Sequence, residues 1–223
     1  MKRILLIITI LLSINIFAST GIHLEPANND VHNQKSLQNG AKLYINYCMG
    51  CHSIKFMRFN RIADDLNISL NDVEKNFIWT GVKVGQPVKS SIDAQASKKW
   101  FGNTPPDLSL TARSRGTDWL FTYLKGFYKD ESRPFGVNNH ALKGVAMPDV
   151  LWKMKQDSTV AEFNSQVRDI VNFLDYVGEP IKIKRTQMGI KVLLFLLVLF
   201  ILSYLLKKEY WKDVKYGKWR RRD

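Results

Sequence analysis

A chain of 223 residues, 45% hydrophobic and 24% charged, is long enough for one packed domain with further segments at its ends. Its net charge of +13 is unevenly spread: residues 182–223 hold 12 basic and 3 acidic side chains, whereas residues 19–181 hold 19 and 17. That distribution excludes a nucleic-acid-binding face on the main domain, because the excess sits in a terminal tail.

Residues 1–18, MKRILLIITILLSINIFA, place Lys2 and Arg3 before an apolar run that ends at Ala18 and Ser19. This is the layout of a secretory signal peptide, the run being short for a membrane span. Residues 20–35 are polar and predict an extended lead-in. From Gly40 the stretch GAKLYINYC predicts a helix, with Leu43, Tyr44 and Tyr47 at spacings of one, three and four. Residues 69–80 predict another, capped by Ser69, with Leu70, Val73, Phe77 and Ile78 on one face.

A loop rich in Gly, Pro, Ser and Lys is expected up to Trp100. NTPPDLS (103–109) cannot lie inside a helix, because adjacent prolines fix the backbone and remove donors. Residues 117–128 return to helical spacing through Trp119, Leu120, Tyr123, Leu124 and Phe127, and residues 129–150 read as loop. Thr159 and Glu162 then form a capping box, followed by Phe163, Val167, Ile170, Val171, Leu174 and Val177, with Gly178 and Pro180 as stop signals.

Met188 to Leu206 is almost uninterruptedly apolar, and its 19 residues would make roughly 28 Å of helix, near the thickness of a bilayer core. The tail 207–223, KKEYWKDVKYGKWRRRD, follows at once. Lysine and arginine are retained on the cytoplasmic side, so the tail is expected inside and the domain 19–181 outside. A signal peptide predicts the same topology from different residues. The expected fold class is mainly α, with long loops and one C-terminal transmembrane helix.

The chemistry concentrates in YCMGCHS (47–53), which contains the only two cysteines of the chain, Cys48 and Cys51. A redox dithiol would leave His52 incidental, and it belongs in a strand–helix context that is missing here. A zinc site would need two further ligands at matching spacing, and His23, His32 and His140 are scattered. Covalent attachment of one haem c explains all three residues: two thiols for the porphyrin edge, and His52 as proximal ligand to the iron.

A sixth ligand must come from outside that turn. Met147, in GVAMPD and stiffened by Pro148, is the better candidate, with His140 as its rival; Met154, in LWKMK, reads as packing. A His–Met pair leaves no open position on the iron, which predicts an electron carrier and not an enzyme in its own right.

With these residues in view the chain resembles cytochrome c1, the haem subunit of the quinol–cytochrome c reductase (bc1) complex, bacterial type. The resemblance runs from about Gly40 to the tail, through YCMGCHSIKFMRFNRI, NTPPDLSLTARSRGTDWL, VAMPDVLW, GEP and WKDVK. It implies a class I cytochrome c-like domain in the periplasm, anchored in the inner membrane beside cytochrome b. The domain would take electrons from the Rieske iron–sulfur protein and pass them to a cytochrome c acceptor. Position by position it implies His52 and Met147 as axial ligands, Cys48 and Cys51 as thioether anchors, Arg113 near a haem propionate, and Pro106 along the haem edge. Trp119 stands where the family often has tyrosine. The near-neutral domain departs from the acidic docking surfaces of mitochondrial relatives. An anchored cytochrome of another respiratory complex, or an anchored thiol–disulfide oxidoreductase, are the competing readings.

Overall fold

The computed structural model describes residues 21–215 and Gly217; the segment read as a signal peptide, and most of the tail beyond Lys215, lie outside the described residues. Helices dominate, joined by long loops and two small antiparallel ribbons.

Helix α1 (Gln34–Tyr47) opens on Asn33, whose side chain accepts from the backbone N–H of Ser36, satisfying one of the donors that every helix start leaves free. It begins six residues before the Gly40 expected from periodicity. Its buried positions, Leu37, Gly40, Ala41, Tyr44 and Ile45, recur at helical spacing and face α8 (Val160–Gly178). Gly40 sets how closely the two helices cross: a Cβ there would lie 2.0 Å from the carbonyl oxygen of Asp169. One turn on, the Tyr44 ring packs on Phe173 at 5.7 Å. Helix α8 starts with the expected reciprocal capping box between Thr159 and Glu162.

After the cysteine turn come strand β1 (Ile54–Arg58), α2 (Phe59–Leu66), α3 (Leu70–Asn76) and strand β2 (Pro87–Val88), which pairs antiparallel with β1 through an irregular register. Helix α2 buries Phe59, Ile62, Ala63 and Leu66. Ser69 caps α3 as expected, accepting from the N–H of Asp72, and Val73 and Phe77 turn inward while Leu70 stays exposed. The loop expected up to Trp100 instead contains α4 (Ala94–Phe101). Asp93 caps that helix by accepting from the N–H of Ala96, and Gly102 closes it in the left-handed conformation.

Helices α5 (Thr111–Arg115) and α6 (Thr117–Lys125) are separated by Gly116, whose φ of 90° only glycine adopts readily. Both lie against α8. Strands β3 (Phe127–Lys129) and β4 (Val137–Asn139) form a hairpin: β3 takes up Phe127 and Tyr128, expected to end the preceding helix, which instead stops at Lys125, and β4 lies in the stretch expected to be loop; α7 (Trp152–Asp157) leads into α8.

The lead-in is extended, as expected, and polar side chains pin it down. The N–H groups of Glu25 and Ala27 donate to Thr122 Oγ1 and Asp118 Oδ1 at 2.8 Å, and Arg168 and Asn172 of α8 donate to the carbonyls of Ala27 and Asp30. An extended strand without ladder partners must find such acceptors and donors, because unpaired backbone groups are costly once buried.

Helix α9 (Lys182–Lys215) runs for 34 residues, about 51 Å. Its apolar stretch from Val192 to Leu206 is exposed throughout: none of the described residues covers it, as they would a core helix. Length, composition and exposure together make it a membrane anchor.

Candidate haem site

The cysteine turn continues directly from α1. The N–H of Cys48 still donates to Tyr44 O, and those of Cys51 and His52 both return to Cys48 O at 3.0 and 2.8 Å. This tight turn brings Cys48, Cys51 and His52 onto the wall of one cavity of about 530 Å³. Met147 and Pro106 line the same cavity, with Leu120, Leu124, Ile170 and Leu174 among its apolar residues.

His52 is held from two sides. Its Nδ1 lies 2.8 Å from the carbonyl oxygen of Pro106. A carbonyl can only accept, so Nδ1 carries the proton and Nε2 keeps its lone pair. Its own carbonyl accepts from the buried Tyr44 hydroxyl at 2.6 Å. Burial pushes the imidazole below its ordinary value, outweighing the Pro106 hydrogen bond and Asp107, which act the other way. The ring is therefore neutral at pH 7, the form that ligates iron.

The PPDLS segment holds Pro106 in place by pairing with the chain just after the turn. Leu108 N–H donates to Ser53 O (2.8 Å), Lys55 N–H to Asp107 Oδ2 (3.0 Å), and Phe56 N–H to Ser109 Oγ (3.2 Å). The prolines contribute no N–H here. What they contribute is a fixed φ that presents the Pro106 carbonyl to the histidine.

Burial, with Cys51 beside it, pushes the Cys48 thiol up to about 12. A thiol primed for thiol–disulfide exchange is shifted the opposite way, so Cys48 does not favour the oxidoreductase reading. Two thiols, an imidazole with its outer nitrogen fixed, and a thioether, arranged around an apolar cavity, fit a covalently attached haem. No group of three or more His, Cys, Asp or Glu side chains that could hold another metal occurs among the described residues.

The other ligand candidates lie elsewhere. His140 is exposed and stacked on Tyr128 at 4.4 Å; Met57 and Met154 are in the core; Met49 lines a separate cleft beside Trp79. Arg113, expected beside a propionate, does not line the cavity. Its guanidinium lies 3.5 Å from Glu179, which also pairs with Arg185 at the start of α9. Arg115, two residues on, lines the cavity instead. Residues two apart on a helix point to different sides, so only one of the pair can reach it.

Sequence reasoning also missed the roles of Tyr44 and Tyr123. The latter lines the cavity, and its hydroxyl lies 3.4 Å from the sulfur of Met147. Arg115, Trp119, Tyr123 and Phe127 follow one another every four residues, and each stacks on the next: 5.2 Å from guanidinium to indole, 5.0 Å between parallel rings, then 5.4 Å edge-on. That spacing was visible as a helical face; which wall it forms was not.

The fold and the cavity define a c-type cytochrome domain on a membrane anchor. The chain belongs to the Cytochrome C1 family, which it matches over residues 26–214. It is 44% identical to a cytochrome c1 of Allochromatium vinosum, covering 87% of this chain and 91% of that one. A second relative, named ammonia monooxygenase gamma subunit in Nitrosomonas europaea, is 41% identical over 94% of this chain and 97% of its own length. A cytochrome c1 of Rhodospirillum rubrum is 26% identical over 83% and 84% of the two chains.

Proposed function

We propose that this chain is the electron-relaying haem subunit of a quinol–cytochrome c reductase, taking electrons from a Rieske-type iron–sulfur protein beside cytochrome b and passing them to a cytochrome c acceptor. The observation that carries the reading is the meeting of Cys48, Cys51, His52 and Met147 in one largely apolar cavity. Family membership supports a place in a cytochrome b–c1 assembly.

A single haem, attached through thioethers to Cys48 and Cys51, supplies reversible one-electron chemistry when bound. The protein's part is to hold and tune it. His52 presents Nε2 because Pro106 fixes the other nitrogen, and Met147, on the wall of the same cavity, would supply a thioether as second ligand, a pair that raises the reduction potential. Arg115 is the cation placed for a propionate, the part expected of Arg113, which Glu179 retains. His52 and Met147 would together hold the iron and leave no open position on it for a substrate, which suits a relay of single electrons.

In the proposed topology residues 1–18 direct export, 19–181 form the periplasmic domain, 188–206 cross the inner membrane, and 207–223 face the cytoplasm. The test is kinetic. Quinol added to native membranes should reduce the c-type haem on this chain, and added oxidised cytochrome c should reoxidise it. A c-type haem that quinol leaves oxidised, while cytochrome b in the same membranes is reduced, would contradict the assignment.

A further inference from the structure

The reading of Met147 as ligand leaves Tyr123 unexplained. This tyrosine is half-buried, and a hydroxyl drawn out of water costs free energy unless it is hydrogen-bonded. Its bonding partner is the Met147 sulfur, one of the weakest acceptors a protein contains. A phenylalanine would fill the same space at less cost, so stability gives no reason for the oxygen.

The surroundings fix that oxygen. The Tyr123 ring lies flat against Trp119 and edge-on to Phe127. Its carbonyl accepts from the side chain of buried Asn139 at 2.7 Å, and from the N–H of Gly126. Ring and backbone are thus anchored independently, which aims the hydroxyl at the thioether.

We propose that Tyr123 is a positioning residue that acts through Met147, drawing electron density from its sulfur and so raising the reduction potential of the haem. This rests on Met147 being the axial ligand. A thioether sulfur has two lone pairs: one can reach iron while the other accepts the hydroxyl proton. A sulfur that shares density with a proton donates less to iron. The oxidised iron depends on that donation more than the reduced iron does, so the hydrogen bond favours reduction.

The test is Tyr123→Phe in the full-length haem-loaded chain, read by potentiometric titration and by the sulfur-to-iron absorption of the oxidised protein. The potential responds only to the part of the hydrogen bond that differs between the two oxidation states, so the expected result is a retained sulfur-to-iron band and a reduction equilibrium shifted about threefold, and at most about tenfold, toward the oxidised form. At about 59 mV per tenfold for one electron, the potential falls by about 28 mV and by no more than about 59 mV. An unchanged potential with the band retained would overturn the proposal alone and leave Tyr123 a packing residue. A wild-type chain without the band would overturn the Met147 reading, and the proposal with it. Should the variant fail to hold haem, proton NMR of the reduced wild type decides. A Tyr123 hydroxyl proton that exchanges slowly and lies close to the Met147 methyl supports the proposal; a freely exchanging one overturns it.

Discussion

Gly40→Ala tests how the helix crossing supports the haem site. The added methyl would sit 2.0 Å from the Asp169 carbonyl oxygen and 2.7 Å from Phe173 Cβ. Close-packed atoms do not approach so nearly, so α1 must retreat from α8 by about 1 Å. The obstacle is backbone in the middle of a helix and has no rotamer to escape into. Overpacking of this kind costs about 1–3 kcal/mol, here at the upper end. Alanine recovers about 0.5–1 kcal/mol of helix preference over glycine. The net is a loss of about 2 kcal/mol. The retreat also draws Tyr44 away from Phe173, against which its hydroxyl is braced toward His52. Denaturant unfolding of the haem-loaded chain in detergent, followed at the haem absorption, should show this loss. The matched control is Gly85→Ala, where a Cβ meets nothing within 4 Å. Equal stability for the two variants would refute the packing argument.

Other predictions follow from the same geometry. Tyr44→Phe removes the hydroxyl that donates to the His52 carbonyl, so unfolding stability should fall by about 1–2 kcal/mol while the visible spectrum of the folded chain stays the same. Met147→Leu should abolish the sulfur-to-iron absorption and lower the potential enough that ascorbate no longer reduces the haem; an unchanged potential would rule Met147 out as ligand. A phosphatase fused after Asp223 should be inactive, and one fused near Lys182 active, because that enzyme folds only outside the cytoplasm; the reverse pattern would invert the topology.

What was legible in the sequence was what local chemistry dictates. Cys48, Cys51 and His52 can be read from their order because a single turn must present all three. The capping box at Thr159 and Glu162 is likewise local, and the apolar C-terminal helix needs only its length and lack of charge. What escaped depended on distant neighbours. Helix α4 carries clear punctuation, Asp93 before it and Gly102 after, yet its surroundings of lysine, serine and glycine masked it as loop. Strands β1 and β2 are too short and irregular for alternation to show. Arg113 and Arg115 look equivalent in ARSRG. Only the turn at Gly116 and the pull of Glu179 decide which one faces the cavity. The contact from Tyr123 to Met147 spans 24 residues, so no local pattern encodes it.

A covalently bound, high-potential haem c on His52 and Met147 underlies every role proposed for this chain. Its most direct test is a comparison of ascorbate-reduced and dithionite-reduced visible spectra of the chain purified from membranes in mild detergent. Ascorbate should fully reduce a c-type haem that stays on the chain after acid–acetone extraction, with b-type haem appearing only under dithionite. A chain with no covalent haem, or with one that only dithionite reduces, would contradict it.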